Sequence, residues 1–174
     1  MTVRALLILL GGLLAASAAQ ADVLPTIKAE TLNRAPFMVP GSFTAARNVL
    51  LFSFGRDMQQ AVDAWDAALA DLRTDPKACQ VYNMPLIPNP GALVRSFISG
   101  GMRGIYKDAG VRDRVVVLYV DEAKVMPALA VTDRSTPLVL VVDAGGQEIG
   151  RVQGTASAAT VGQVRALVTG TPSP

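Results

Sequence analysis

The sequence predicts an α/β domain with a central mixed sheet of about five strands flanked by helices. Continuous apolar runs of strand length recur along the chain, as in "NVLLFSF" at 48–54 and "RVVVLYVD" at 114–121. Stretches with apolar residues at helical spacing separate these runs. Helices between apolar strands imply parallel strand pairs with right-handed crossovers, so the order β-α-β-α-β-α-β-β-α is expected.

The first half of the chain predicts one irregular segment, one strand and one helix. Residues 22–46 keep no hydrophobic period and are interrupted by Pro25, Pro36 and Pro40, which predicts irregular structure. After the strand at 48–54, Asp57 is the predicted N-cap of a helix, and Gln60 is placed as in a capping box. One face of this helix is apolar and carries Met58, Ala61, Val62, Trp65, Leu69 and Leu72.

The second half predicts the remaining elements. A weaker strand at 79–87 precedes a helix that begins after Gly91, and a short helical segment bounded by Pro127 follows the strand at 114–121. Strands at 138–142 and 147–153 form a hairpin, and Thr160 opens a last helix. The apolar side of the helix after Gly91 is predicted to consist of Leu93, Val94, Phe97, Ile98, Met102 and Ile105.

The first 21 residues have the pattern of a secretory signal peptide. Arg4 precedes the apolar run at 5–14, and Ala19-Gln20-Ala21 matches a signal-peptidase site. We therefore expect cleavage after Ala21 and export, to the periplasm in a bacterium, with an uncleaved anchor as the alternative. Residues 22–46 then form the N-terminal segment, residues 47–169 the domain, and residues 170–174 a flexible tail.

Composition excludes several classes of function. Removing 21 of 174 residues leaves 153, which suits one domain, with a net charge near +1 that argues against nucleic-acid binding. The chain has one cysteine and no histidine, so it lacks an internal disulfide, the commonest metal ligand and the usual general base. The sequence therefore predicts no metal and no cofactor.

The strand-turn-helix at 48–65, the Thr136-Pro137 pair before an apolar strand, and the hairpin "STPLVLVVDAGGQEIGRVQG" together resemble the thioredoxin fold. The resemblance covers residues 47–169. It implies a cis bond at Thr136-Pro137 facing the turn after the first strand. The C-x-x-C motif of that family would fall at Gly55 to Met58, where there is no cysteine. The stretch "LVRSFISGGMRGIYKD" further resembles the assembly factors of mitochondrial ATP synthase, which pair this fold with no redox motif.

Three groups of residues are candidate sites. Cys79 is either a reactive thiol or a buried apolar residue, and the absence of histidine and of a second cysteine favours burial. The turn Gly55-Arg56-Asp57, next to Thr136 and Pro137, is either a capped helix start or a site for a carboxylate or phosphate. The third group recurs every four residues on one helical face, as a solvated stripe or as a contact for an acidic partner or anionic lipid: Arg95, Ser99, Arg103 and Lys107.

These observations favour an exported, non-redox thioredoxin-like domain that binds another envelope protein, as an assembly factor does. Gly55, Arg56, Asp57, Thr136 and Pro137, with Arg95 and Arg103, are the predicted binding residues. The alternative is an enzyme, a one-cysteine thiol peroxidase or thiol transferase that uses Cys79. A binder of small anions at Arg56 is a third interpretation.

Overall fold

The computed structural model describes residues 23–171. The predicted signal peptide and the last three residues of the predicted tail lie outside this range. Seven strands form one sheet, and in chain order they are β1 (Ile27–Thr31), β2 (Pro36–Val39), β3 (Arg47–Ser53), β4 (Cys79–Pro88), β5 (Val116–Val120), β6 (Leu138–Asp143) and β7 (Glu148–Gln153). The helices are α1 (Gln59–Ala68), α2 (Ala92–Ile105), α3 (Ala109–Arg114), α4 (Glu122–Ala128) and α5 (Ala158–Thr169).

The strands lie in the order β2-β1-β5-β4-β3-β6-β7. The three central strands β5, β4 and β3 are parallel, and the outer strands on both sides are antiparallel. The order predicted over residues 47–169 is confirmed, with the short helix α3 as an addition. Helices connect the parallel strands because parallel neighbours cannot be joined by a tight turn.

The prediction for residues 22–46 is wrong, and the sheet has seven strands where about five were expected. Strands β1 and β2 form a hairpin in which Ile27 pairs with Val39, and the end of β1 pairs with β5. Pro36 is the exposed first residue of the edge strand β2, where a missing N–H is tolerated. Strands of five and four residues are too short to show a period through such prolines.

Two buried clusters lie on opposite faces of the sheet, as expected when strands alternate their side chains. On the first face, α1 and α5 cover a cluster that includes Val49, Leu51 and Trp65. On the second face, Leu50 and Phe52 pack with the N-terminal hairpin and α4. Trp65 is fully buried, and its indole N–H donates to the Gly154 carbonyl oxygen at 2.9 Å.

The two predicted helix caps require correction. Asp57 does not cap α1; it lies in a 3₁₀ turn at Arg56–Met58, and α1 begins at Gln59 after Met58, with no side-chain cap. The last helix begins at Ala158, where Ser157 is the N-cap and forms a reciprocal capping box with Thr160. Thr160 is therefore the third helical residue and not the cap, because Ser157 meets the same requirement one turn earlier.

Within residues 23–171 no helix is long and apolar enough to cross a bilayer.

We expect Trp65 to contribute more to the stability of the domain than any other residue in the cluster covered by α1 and α5. Trp65→Ala should lower the free energy of unfolding by about 3–5 kcal/mol, because it removes a fully buried ring. Trp65→Phe should cost about 1–2 kcal/mol, mainly because the Gly154 carbonyl loses its donor. Urea unfolding followed by circular dichroism measures both, since Trp65 is the only tryptophan. Leu93→Ala, at an exposed site, is the control and should change stability by less than about 0.5 kcal/mol.

Candidate functional site

One edge of the sheet brings together the turn and the Thr-Pro pair predicted from the sequence. Strands β3 and β4 are parallel, so the turn after Ser53 and the start of α2 lie at the same edge. Strand β6 runs antiparallel to β3 with Phe52 opposite Leu138, which carries Pro137 to the position opposite Ser53. This register places Pro137 beside the end of the strand from which the turn follows, while the predicted contact of Pro137 with the turn and the roles of these residues in binding stay predictions.

The turn itself offers no thiol. Gly55, Arg56 and Asp57 are exposed, and the first position of the expected C-x-x-C is a glycine without a side chain. The last position is Met58, which is buried and whose thioether accepts a weak hydrogen bond from the Phe54 N–H at 3.5 Å. A glycine and a thioether cannot exchange disulfides.

The prediction of a cis bond at Thr136-Pro137 is wrong. The bond is trans, and Val39-Pro40 is the cis peptide between residues 23 and 171. Trans is the intrinsically favoured isomer of an X-Pro bond, and the hairpin holds it. Gln153 Nε2 donates to the Thr136 carbonyl at 2.8 Å, and the Gly154 N–H donates to the Pro137 carbonyl at 3.0 Å.

Cys79 lies at the first residue of β4 and is 3% exposed. It packs in the same cluster as Trp65 and Val81, and burial raises the pKa of its thiol from the ordinary 9.0 to about 11, partly opposed by the charge of Arg73. A reactive thiol needs a lowered pKa and access to solvent. The structure therefore favours the interpretation of Cys79 as a buried apolar residue.

Helix α2 contacts the domain through the side that was predicted to be either a solvated stripe or a contact for an acidic partner or anionic lipid. Arg95 and Arg103 are half-buried, and so are Ser99 and Met102 between them. The Tyr119 hydroxyl donates to the Arg95 carbonyl at 3.1 Å and lies 2.9 Å from Ser99 Oγ. Arg95 also lies over the Tyr119 ring, 5.8 Å from its centroid. The inner stripe of α2 therefore consists of Arg95, Ile98, Ser99, Met102, Arg103 and Tyr106.

The opposite side of α2, which we call the outer face, is apolar and exposed. Leu93 is 89% exposed and Phe97 is 79% exposed. Ile105 and Val94 are also exposed, and Gly100, Gly101 and Gly104 complete the surface. This face carries no charged residue, since Arg95 and Arg103 point inward. Exposed apolar patches of this kind mark interaction surfaces.

A cleft of about 520 Å³ lies between α2 and the hairpin β1–β2, and we call it the basic cleft. Its walls carry Arg95 and Arg103 from α2, Lys28 and Glu30 from β1, and Arg34 from the turn after β1. Sequence reasoning identified the two α2 arginines but missed the β1 side, because residues 22–46 were expected to be irregular. Two further basic residues near α2 have partners in the domain: Arg112 donates to Asn33, and Arg114 pairs with Asp66. Lys107, the last member of the predicted stripe, follows α2 and is exposed.

Comparison with known proteins rests on the three-dimensional structure, since no family model and no curated protein matches the sequence. Similar structures include a proposed electron transport protein from Aquifex aeolicus VF5, at 15% identity and TM-score 0.64, over 87% of this chain and 99% of that one. The thioredoxin domain of a thiol-disulfide oxidoreductase from Bacteroides vulgatus is 15% identical, with a TM-score of 0.60. The match covers 87% of this chain and 99% of that domain. An exposed lipoprotein thioredoxin from Streptococcus pneumoniae is 12% identical, with a TM-score of 0.57. The match covers 82% of this chain and 98% of that one.

The fold is thioredoxin-like. At these identities the similarity concerns the fold alone. It confirms a thioredoxin-like fold with a mixed sheet flanked by helices, and it does not extend to the narrower resemblance to ATP synthase assembly factors.

Burial of Cys79 predicts a dependence of stability on alkaline pH. The thiol has a higher pKa in the folded chain than in the unfolded chain, so folding favours the protonated form. The resulting stabilisation is fully present below about pH 9 and is lost as the pH rises towards 11. Urea unfolding at pH 8, 9, 10 and 11 should therefore show a free energy of unfolding that falls across this window.

Cys79→Ala is the matched control for this measurement. Burial also raises the pKa of Tyr82 and Tyr106, so part of the alkaline loss should remain in the variant. The difference between the two proteins isolates the thiol. A difference that does not change between pH 8 and pH 11 would contradict the assignment of Cys79 as a buried protonated thiol.

Proposed function

We propose that this chain is a non-redox thioredoxin-like domain that binds another protein through the outer face of α2. The observation that carries the proposal is the exposure of Leu93 and Phe97, at 89% and 79%, on a helix whose charged residues point inward. An amphipathic helix normally buries its apolar side. Here the apolar side is left for a partner.

Two features of the turn and of Cys79 support a function without redox chemistry. Disulfide exchange needs an attacking thiolate, and peroxide reduction needs one as well. The turn at 55–58 holds no cysteine, and the thiol of Cys79 is buried with a pKa of about 11. The structural neighbours are described as thiol-disulfide oxidoreductases or electron transport proteins, and the residues present here do not support carrying those activities over.

The outer face defines the chemistry of the partner. Phe97 projects from an uncharged surface, and the glycines at 100, 101 and 104 leave the helix backbone bare beside it. A large side chain next to bare backbone suits close approach of another helix, with the ring as the central anchor. We therefore propose a protein partner that presents an uncharged, apolar helical surface. The turn Gly55-Arg56-Asp57 and Pro137, at the sheet edge where α2 begins, would contribute polar contacts at the margin.

A narrower form of this proposal concerns place and role. The predicted signal peptide supports export, and the resemblance of the α2 region to assembly factors supports a role in building a larger envelope complex. One of the similar structures is described as an exposed lipoprotein thioredoxin, so proteins with this fold occur outside the cytoplasm. In this form the partner is an apolar subunit that the domain holds before that subunit is incorporated.

The enzyme alternative depends on Cys79. A one-cysteine peroxidase or thiol transferase would need the thiol to reach its substrate. Cys79 is only 3% exposed and lies in the buried cluster covered by α1 and α5. The third interpretation, anion binding at Arg56, depends on an exposed side chain beside a 3₁₀ turn of three residues. Neither site has the exposed area that the outer face offers.

The proposal predicts that polar substitutions on the outer face weaken binding without unfolding the domain. Photo-cross-linking from position 97, with p-benzoylphenylalanine in place of Phe97, should identify a partner protein in the native envelope fraction. The Leu93→Ser, Phe97→Ser double variant should then bind that purified partner about 10- to 100-fold more weakly. Its midpoint of thermal unfolding should stay unchanged, because both side chains are exposed.

Val23→Ser is the matched control, since Val23 is an apolar residue 61% exposed outside α2. It should bind the partner with the wild-type Kd. A cross-link from position 97 mainly to a second copy of the chain would replace the proposed partner by a homodimer. Equal affinity of the double variant and the wild type would refute the role of the outer face.

A further inference from the structure

The basic cleft on the inner side of α2 has the size and the lining of a ligand site. Its volume of about 520 Å³ lies within the range of about 300–1,000 Å³ typical of small-molecule pockets. One wall is the inner stripe of α2, the floor is Val117 and Tyr119 of β5, and the other wall is β1. Apolar surface is therefore available for the body of a ligand between charged groups at the rim.

The charges of the cleft are not neutralised by the chain. Four cations line it, Lys28, Arg34, Arg95 and Arg103, against the single carboxylate of Glu30, which leaves a net formal charge of +3. Within residues 23–171, none of these five groups forms a salt bridge. By contrast, Arg73, Arg114 and Arg165 on the same face of the sheet all pair with carboxylates. Concentrated charge of one sign in a concave site attracts ligands of the opposite sign.

The spacing of the two α2 arginines determines the shape of the anion. Arg95 and Arg103 are eight residues apart, so their backbones are separated by roughly 12 Å along the helix at 1.5 Å per residue. A single compact ion cannot contact both guanidinium groups without bending both side chains towards one point. A ligand with two anionic groups at its ends would meet one arginine at each end.

The two arginines are positioned differently. Arg95 is held over the Tyr119 ring, and Tyr119 is itself held by Ser99 and by the Arg95 carbonyl. Arg103 Nη1 makes one long hydrogen bond, 3.5 Å, to the Leu32 carbonyl, which leaves most of its donors for a ligand. Each arginine can therefore present its planar fork of donors to an oxyanion.

We propose that the basic cleft binds a small molecule that carries two phosphate groups. Two phosphate monoesters bring a charge of about −3 to −4 at pH 7, which balances the +3 of the lining, whereas two carboxylates bring only −2. The apolar linker between the phosphates lies along Ala92, Val117 and the Tyr119 ring. The phosphates belong either to a free metabolite or to a lipid whose headgroup carries two separate phosphate monoesters. The site is distinct from the outer face and does not depend on the proposed protein partner.

The test compares probes that differ only in their anionic groups. Isothermal titration at constant ionic strength should give the lowest Kd for 1,6-hexanediol bisphosphate, a higher Kd for hexyl monophosphate, and a higher Kd for the dicarboxylate suberate. Arg95→Gln together with Arg103→Gln should raise the Kd for the bisphosphate about 100-fold, since a charged hydrogen-bonding group contributes about 1.5–3 kcal/mol. Glu30→Gln should lower the Kd, because it removes the one carboxylate of the lining.

Controls and vesicles complete the experiment. Lys77→Gln changes an exposed cation outside the cleft and should leave the Kd unchanged. Arg103→Lys keeps the positive charge at this position and so tests the cleft without the charge loss that could destabilise the double glutamine variant. It should bind the bisphosphate more weakly than the wild type but more tightly than the double glutamine variant. Phosphatidylcholine vesicles with diphosphoryl lipid A, which carries two phosphate monoesters, identify a lipid source if they bind with the same dependence on Arg95 and Arg103. Equal affinity for the monophosphate and the bisphosphate, tighter binding of suberate, or loss of binding in Lys77→Gln would overturn the proposal.

Discussion

The contact between Tyr119 and the inner stripe of α2 determines what this domain presents to its surroundings. The tyrosine hydroxyl joins Ser99 and the Arg95 carbonyl, and its ring lies beneath the Arg95 guanidinium. Together with Met102 and Tyr106, which pack against the small cluster around Val117, these contacts fix the rotation of the helix. Both candidate surfaces follow from this one rotation, because the arginines then line the cleft while Leu93 and Phe97 face outward.

The packing of the sheet does not depend on cysteines in the turn at 55–58. Strand β3 is the axis of the sheet, with six of its seven residues buried between β4 and β6. The pairing of β3 with β4 and β6 does not involve the turn at 55–58, so the sheet does not depend on cysteines there. Met58 is 4% exposed and packs into the domain from this turn. Its thioether cannot exchange a disulfide.

The sequence predicted the parts of the fold where hydrophobic period and burial coincide. Strands β3 to β7 and helix α1 were found because their apolar residues face the core, as at Val62 and Trp65. The hairpin β1–β2 was missed because both strands are short and because β2 begins at Pro36 and is followed by Pro40. Topology alone predicts that Pro137 and the turn lie at the same end of the sheet. The trans isomer of the Thr136-Pro137 bond and the position of Lys28 in the cleft depend on tertiary contacts, which no local sequence pattern predicts.

Helix α2 shows where reasoning from periodicity fails, and the failure bears on function. Its apolar residues were predicted to share one side, but Ile98 and Met102 face the domain while Leu93 and Phe97 stay in water, which forgoes about 1.5–3 kcal/mol for each of these two side chains. Turning the helix to bury them would separate Ser99 from the Tyr119 hydroxyl and would place Arg95 and Arg103 in solvent, away from the hairpin. The chain therefore keeps a polar contact inside and an apolar face outside. Such an arrangement is costly for an isolated domain and becomes favourable when a partner covers the outer face and an anion occupies the cleft.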